Sequence, residues 1–214
     1  MIKTVLFDLD GTIIDTNELI ISSFIHVLSK LGPGALSREE IIPHMGGTLE
    51  QQMQAFTGKP DVAEYVTGYR AYNSVHHDDM VQPFPGVMDV VKKLHEQGIR
   101  MGVVTTKIRP STLRVLELFD LMKYMEVIVT VSDVTYPKPH PEPVLTAVEK
   151  LQVDPSETLM VGDSPVDIQS AKAAGVKAAG VAWSLKGEEK LKEYGPDYIL
   201  HDMHDILTLI QKEQ

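Results

Sequence analysis

The chain has 214 residues, no cysteine, and a formal net charge of −10 from 20 basic and 30 acidic residues. This length suffices for one sizeable core, or for a core with a small accessory domain, and the absence of cysteine excludes disulfides, thiolate metal sites and a cysteine nucleophile. The acidic balance argues against nonspecific binding to nucleic acid or to an anionic membrane. No apolar run approaches the roughly 20 residues that span a bilayer. Because Asp8 and Asp10 interrupt the first apolar run before a signal peptide could form, we expect a cytoplasmic protein.

The first predicted element is a buried strand over residues 2–9, a β-favouring run that ends in acidic residues and is broken by Gly11. Residues 16–80 have a different pattern, with apolar residues at helical spacing and no convincing strand. Ser37 and Glu40 within this segment fit a capping box. The segment therefore predicts a helical insert.

After a linker containing proline and glycine at residues 83–86, predicted helices and strands alternate. The predicted strands are residues 101–105, 127–131, 158–161 and 176–181. The predicted helices are residues 87–97, 110–119, 143–151 and 165–174, with a last strand and helix within residues 198–210. This alternation favours a parallel sheet with helices on both faces. We predict an α/β fold whose Rossmann-like core comprises residues 1–15 and 81–214, with a small all-helical domain of residues 16–80 inserted after the first strand.

Chemically active side chains follow four of the predicted strands. Ligands of open α/β sheets bind beyond the carboxyl ends of the strands, so these side chains are expected to meet at one edge. Carboxylates and carbonyls are the ligands that Mg²⁺ prefers, and lysine and hydroxyl groups suit phosphoryl oxygens. One acid could attack phosphorus while a second handles protons, provided that Gly11 bends the chain between them. The residues are Asp8, Asp10, Thr105, Thr106, Lys107, Lys138, Asp163 and Asp167.

Four motifs of the haloacid dehalogenase superfamily resemble segments of this chain and occur in the same order. The insert resembles the helical cap of that family, and we call residues 16–80 the cap from here on. The matching segments are Asp8-Leu9-Asp10-Gly11-Thr12, Thr105 after a pair of valines, Lys138, and Gly162-Asp163-Ser164-Pro165-Val166-Asp167.

The resemblance implies a two-step phosphoryl transfer. Asp8 would be the nucleophile and would form an aspartyl-phosphate, while Asp10 would be the general acid and base. Thr105 and Lys138 would hold the phosphoryl oxygens. Because haloacid dehalogenases proper lack the second aspartate, the presence of Asp10 points to phosphate chemistry.

The same resemblance implies a Mg²⁺ site. The Asp8 side chain, the Asp10 backbone carbonyl and Asp163 would be its ligands. Asp167 would support the metal shell or Lys138. An EF-hand calcium loop beginning at Asp8 is disfavoured, because its twelfth position holds Leu19 instead of an acid and a strand precedes it.

Segments of both cap and core are also similar to the inorganic pyrophosphatases of low-GC Gram-positive bacteria. This similarity implies hydrolysis of pyrophosphate, such as that released when the carrier protein HPr is dephosphorylated on serine. Phosphoglycolate phosphatases share the architecture and all four motifs, so a small phosphomonoester is the alternative substrate. The similar segments are residues 16–20, 69–73, 76–78, 104–107, 182–187 and 196–198.

Further residues are candidates for binding the substrate, which we expect to be a small phosphate compound acted on by a monomer or weak dimer. Gly46 and Gly47 could form a cap loop that closes on the substrate, or an ordinary turn between helices. The substrate-binding candidates are Thr106, Lys107, Gly46, Gly47, Arg70 and His76.

Two other functions are more distant alternatives: a binding module without catalysis and a metal-free dehalogenase.

Overall fold

The computed structural model describes residues 1–32, 34 and 36–212, so the last two residues of the predicted core segment lie outside the described residues. Six parallel strands form the main sheet. They are β1 (Thr4–Phe7), β4 (Arg100–Val104), β5 (Val127–Val129), β6 (Thr158–Gly162), β7 (Lys177–Val181) and β8 (Tyr198–Leu200). Their order across the sheet is β5-β4-β1-β6-β7-β8. The predicted α/β fold is confirmed.

Helices cover both faces of this sheet, which explains why the side chains on both faces of its strands are mostly apolar. In β1, Val5 and Phe7 belong to one apolar cluster and Leu6 to the cluster on the other face, as the alternation of side chains along a strand requires. The helices of the core are α5 (Val87–Glu96), α6 (Arg109–Leu118), α7 (Glu142–Leu151), α8 (Pro165–Ala173), α9 (Glu188–Lys192) and α10 (Asp205–Lys212).

The described residues of the cap form helices joined by loops, and the cap has an apolar cluster of its own. Phe24 is the centre of this cluster, with its ring centroid 5.1 Å from that of Phe56 and 4.8 Å from that of Tyr69. The predicted capping box of Ser37 and Glu40 is present. This separate cluster supports the proposed division into a core and a cap. The helices of the cap are α1 (Asn17–Leu31), α2 (Arg38–Ile41), α3 (Leu49–Thr57) and α4 (Ala63–Met80).

The chain enters the cap through one segment and leaves it through another, and these two segments pair as a two-stranded antiparallel ribbon. It pairs β2 (Ile14–Asp15) with β3 (Gln82–Pro83). The ribbon follows β1 almost directly, so it holds the cap at the carboxyl edge of the main sheet. No helix within residues 1–32, 34 and 36–212 is both long and apolar enough to cross a membrane.

Candidate active site

Three neighbouring strands deliver polar groups to one point on the carboxyl edge of the sheet. The central strand β1 lies between β4 and β6, and all three run parallel. Asp8, Thr105 and Asp163 are the residues that follow these strands, and all three line one cavity of about 120 Å³. The sequence prediction that these groups meet at one edge agrees with this placement.

Lys138 is buried beneath this cavity, with only 2% of its side chain exposed. Its Nζ donates hydrogen bonds to Asp8 Oδ1 at 2.8 Å, to Asp167 Oδ1 at 2.5 Å and to the carbonyl oxygen of Val104 at 3.0 Å. An ammonium group has three hydrogens, so each has an acceptor. The lysine is therefore held in one position against Asp8.

The carboxylates of this cluster have pKa values displaced from those of exposed aspartates. Burial raises the pKa of Asp8 to about 8, although the charge of Lys138 acts in the opposite direction. Burial also raises the pKa of Asp163 to about 6, and the charge of Lys186 acts most strongly in the opposite direction. Burial alone would lower the pKa of Lys138, but Asp167 and Asp8 more than offset this and raise it above its ordinary value. Displacements of this kind are typical of functional sites.

Asp8, Asp163 and Asp167 each place one carboxylate oxygen within 4.8 Å of the other two. Asp167 has little capacity left for a metal, because Oδ1 binds Lys138 and Oδ2 accepts from both the backbone nitrogen and the hydroxyl of Ser164. Its role is thus to hold Lys138 and to cap α8, whose first turn follows Ser164. Asp8 and Asp163 remain as candidate metal ligands.

The backbone at Asp10 and Gly11 lies against Asp163. Gly11 has a φ of +80°, and a Cβ built on it would lie 2.6 Å from Asp163 Oδ2, so only glycine fits. Among the described residues, the carbonyl oxygen of Asp10 has no hydrogen-bond donor. The carboxylates of Asp8 and Asp163 lie close together, and the adjacent backbone offers an unoccupied carbonyl oxygen, so the donor types present fit Mg²⁺.

Lys107 and Asp10 form an ion pair at the wall of the same cavity. Lys107 Nζ lies 3.0 Å from Asp10 Oδ1 and 3.1 Å from Oδ2. The backbone nitrogen of Lys107 donates to the hydroxyl oxygen of Thr105 at 3.1 Å. Among the described residues no acceptor for the hydroxyl hydrogen of Thr105 occurs, so this hydrogen is available for a ligand in the cavity.

The cap supplies the opposite wall, where Gly46, Gly47 and Arg70 lie as predicted. Thr106 Oγ1 donates to the carbonyl oxygen of Gly46 at 3.3 Å across the boundary between core and cap. Gly46 has a φ of +110°, and a Cβ there would lie 2.9 Å from the Cβ of Ser164. The loop therefore rests directly on the core.

His76, which was a candidate for substrate contact, does not line this cavity. Its ring packs on Tyr72, with 4.3 Å between centroids, and Tyr72 packs in turn on His26. Residues four apart share one face of a helix, so His76 lies on the same face of α4 as Tyr72. That face is not the one that lines the cavity. The structure thus brings together every candidate except His76, with Asp167 and Lys138 beneath the cavity instead of at its wall.

Several residues of the site had no assigned role in the sequence prediction. Tyr69 and Asn73, four apart on α4, line the cavity together with Glu50. Ser184 donates to the carbonyl oxygen of Asp163 at 2.6 Å and so fixes the loop after β6. The i, i+4 spacing of Tyr69 and Asn73 shows in the sequence that they share one face of a helix. This spacing does not tell whether that face contacts the substrate or the core.

Comparisons with known proteins agree with this geometry. A sequence profile described as haloacid dehalogenase-like hydrolase matches residues 5–181. The "Pyrophosphatase PpaX" of Bacillus pumilus is 49% identical over 210 residues, which is 98% of this chain and 96% of that protein. The corresponding protein of Anoxybacillus flavithermus is 45% identical over 209 residues, 98% of this chain and 97% of that protein.

Solved structures show the same fold. A putative phosphoglycolate phosphatase from Lactobacillus plantarum has a TM-score of 0.89 and 25% identity, over 98% of this chain and 99% of that one. A putative haloacid dehalogenase-like hydrolase from Bacteroides fragilis has a TM-score of 0.88 and 30% identity, over 96% of this chain and all of that one.

Proposed function

The chain belongs to the haloacid dehalogenase-like hydrolase family, and we propose that it is a Mg²⁺-dependent enzyme that hydrolyses inorganic pyrophosphate to two phosphates. The observation that carries the reaction class is the cavity above Asp8, whose carboxylate is held by the buried Lys138. The choice of pyrophosphate is supported by the full-length similarity to proteins named pyrophosphatase, which extends through the cap.

In the first step of the proposed mechanism, Asp8 attacks the nearer phosphorus and forms an aspartyl-phosphate. The hydroxyl of Thr105, whose hydrogen is free, donates to one oxygen of the transferred phosphoryl group. Lys138 is fixed on Asp8 Oδ1 at 2.8 Å, so its charge lies beside the attacking carboxylate. These fixed charges stabilise the transition state without reorganising during the reaction.

Asp10 lies on the side of the cavity that the leaving group occupies in this mechanism. It protonates a leaving group that needs a proton, and in the second step it takes a proton from the water that hydrolyses the aspartyl-phosphate. Held by the Asp8 carboxylate, the Asp10 carbonyl and Asp163, Mg²⁺ would supply positive charge against the phosphoryl oxygens. The cap loop at Gly46, seated on the core, excludes bulk water from the cavity.

A substrate panel tests this proposal. Initial rates of phosphate release are measured on pyrophosphate, phosphoglycolate and several sugar phosphates, with Mg²⁺ and with excess chelator. We expect the highest kcat/KM on pyrophosphate and loss of all activity with chelator. Phosphate release that persists with chelator would contradict the metal requirement.

Phosphoglycolate is the second candidate substrate, because a protein of the same fold and nearly the same length is named a putative phosphoglycolate phosphatase. A kcat/KM higher on phosphoglycolate than on pyrophosphate would establish this alternative. No release of phosphate above background from any substrate of the panel would contradict the proposed activity and favour the alternative of a phosphate-binding module.

A further inference from the structure

Lys138 and Lys107 each pair with an aspartate of this site, and their surroundings differ. Lys138 lies beneath the cavity and has an acceptor for each of its three hydrogens. Lys107 lies at the wall, with 11% of its side chain exposed, and its Nζ has the two oxygens of Asp10 as partners. Among the described residues no third acceptor for Lys107 Nζ occurs. Lys107 therefore has a donor left for a ligand, whereas Lys138 does not.

The position of this free donor is set by Asp10. The leaving group departs from the face of the phosphoryl group opposite Asp8, and the hydrolytic water later attacks from that same face, within reach of Asp10, which takes its proton. Since Lys107 Nζ is bonded to both oxygens of Asp10, it lies beside the same leaving group. The transferred phosphoryl group, in contrast, lies at Asp8 and Thr105.

The cap adds a second cation to the lining of the same cavity. Arg70 lines the cavity and binds Glu50 through Nη2 at 3.1 Å, which uses one of its five N–H donors. Asn73, one turn further along α4, also lines the cavity and offers an amide. Glu50 and Asp10 are the carboxylates here, and each is already paired with one of the two cations.

We propose that Lys107, assisted by Arg70, forms the subsite for the leaving phosphate and thereby selects substrates whose leaving group is itself a phosphate. This inference rests on the proposed function and assigns the second half of the substrate. As the bond from Asp8 to phosphorus forms, the bond from that phosphorus to the bridging oxygen breaks. The electron pair stays on the bridging oxygen of the departing phosphate, where the free N–H of Lys107 stabilises it. No proton is required for this departure.

The test compares Lys107→Met and Lys107→Gln with wild type on two substrates. Pyrophosphate and acetyl phosphate are both small, and both have leaving groups that depart without a proton, but only pyrophosphate has a second phosphoryl group. We expect kcat/KM to fall about 10- to 100-fold on pyrophosphate and less than about 3-fold on acetyl phosphate, the range expected for one hydrogen bond to a charged group. Lys93→Met is the matched control, because it removes the lysine of another lysine–aspartate pair, which is exposed on α5 and does not line the cavity.

Equal losses on the two substrates would overturn the proposal, because they would mean that Lys107 only positions Asp10. A variant with no loss on either substrate would overturn it as well. Lys107→Gln keeps a hydrogen-bond donor without the charge, so a loss shared by both variants assigns the effect to charge. Thermal unfolding of each variant shows whether it is folded.

A binding experiment separates this proposal from the choice of substrate. In an Asp8→Asn background with Mg²⁺, calorimetry measures the affinity for imidodiphosphate, an uncleaved analogue of pyrophosphate, and for orthophosphate. Adding Lys107→Met should weaken imidodiphosphate about 10-fold or more and leave orthophosphate within about 3-fold. Equal weakening of both ligands would contradict the subsite even if the wild type cleaves pyrophosphate. Selective weakening would support the subsite even if wild-type turnover proved higher on another substrate.

Discussion

The floor and the roof of the cavity are built differently. The floor is a buried polar cluster in the core, in which Lys138, Asp8 and Asp167 satisfy one another within 2.8 Å. The roof is provided by the cap, where Arg70 and Glu50 form a half-exposed pair and Gly46 meets the core through one hydrogen bond of 3.3 Å. Buried, fully paired charges fix the geometry, while exposed pairs contribute little to stability and change easily. Under the proposed function, we expect the floor to determine the reaction and the roof to determine the choice of substrate.

The largest effect is expected from Asp8→Asn at the floor. Turnover should fall by about 10⁴-fold or more, because an amide is not a nucleophile for phosphorus. Stability should not fall at neutral pH, because Asn still accepts from Lys138 and the substitution removes one of several clustered carboxylates. Initial rates and thermal unfolding check this. Asp120→Asn is the control, because Asp120 pairs with Lys123 on the exposed surface. An Asp8→Asn enzyme that keeps a substantial fraction of wild-type turnover would refute the assignment of Asp8 as the nucleophile.

Lys138→Met should damage both activity and stability. Removing one partner of a buried charge cluster leaves the others unpaired, which costs about 3–5 kcal/mol in the free energy of unfolding. The turnover number should fall by about 10³-fold, as for loss of a strong electrostatic contact in the transition state. Denaturant unfolding and initial rates measure the two losses. A stability change below about 1 kcal/mol, like that expected for the exposed Lys93→Met, would show that the floor is not the rigid cluster described above.

At the roof, Gly46→Ala should affect activity far more than stability. The new Cβ would collide with Ser164 when the cap is seated and would occupy a strained φ, at a cost of about 1–3 kcal/mol to the closed state. We expect a 10- to 100-fold decrease in kcat/KM with little change in the thermal unfolding of the core. Gly58→Ala is the matched control, because Gly58 is also in the cap with a φ of +67° but has no atom within 4 Å of the added Cβ. If the two variants lose activity equally, backbone strain alone explains the loss, and the contact of Gly46 with Ser164 has no role in activity.

The smallest expected effect concerns pH and metal binding at the floor. Asp8 has a pKa of about 8 and Asp163 of about 6 in the metal-free protein, both above the ordinary value, so each holds a proton below its pKa. Mg²⁺ must displace these protons, and its affinity should therefore rise with pH, by up to about tenfold per pH unit between pH 6 and 8. Calorimetric titrations across this range measure it. An affinity independent of pH would mean that the carboxylates are already ionised.

Sequence reasoning reached the floor more completely than the roof. Asp8, Thr105 and Asp163 could be placed together because parallel strands end at one edge, which depends only on the order of elements. The two-residue strands β2 and β3 were missed because so short a segment carries no periodicity. The same limit applies to α9, a helix of five residues. Helix and strand ends differed from prediction by one or two residues, as is usual where end turns fray.

In the roof, the sequence predicted that His76 contacts the substrate, but His76 does not line the cavity. Sequence could not show this, because the rotation of a helix about its axis depends on what the helix packs against. The stripe through Tyr69 and Asn73 faces the cavity, and the stripe through Tyr72 and His76 packs with His26 of α1. Both stripes have helical spacing, so spacing alone could not choose between them. The pairing of Lys107 with Asp10 was likewise invisible, since it joins residues 97 positions apart.

Locating the phosphoryl group on the enzyme tests the central assignment most directly. Wild-type protein is mixed with substrate and Mg²⁺, quenched within the first turnover, and treated with borohydride, which reduces an aspartyl-phosphate to homoserine. Mass spectrometry of the N-terminal peptide should then find homoserine at position 8 and aspartate unchanged at position 10. Homoserine at position 10, or label on any other carboxylate, would contradict Asp8 as the nucleophile of this site.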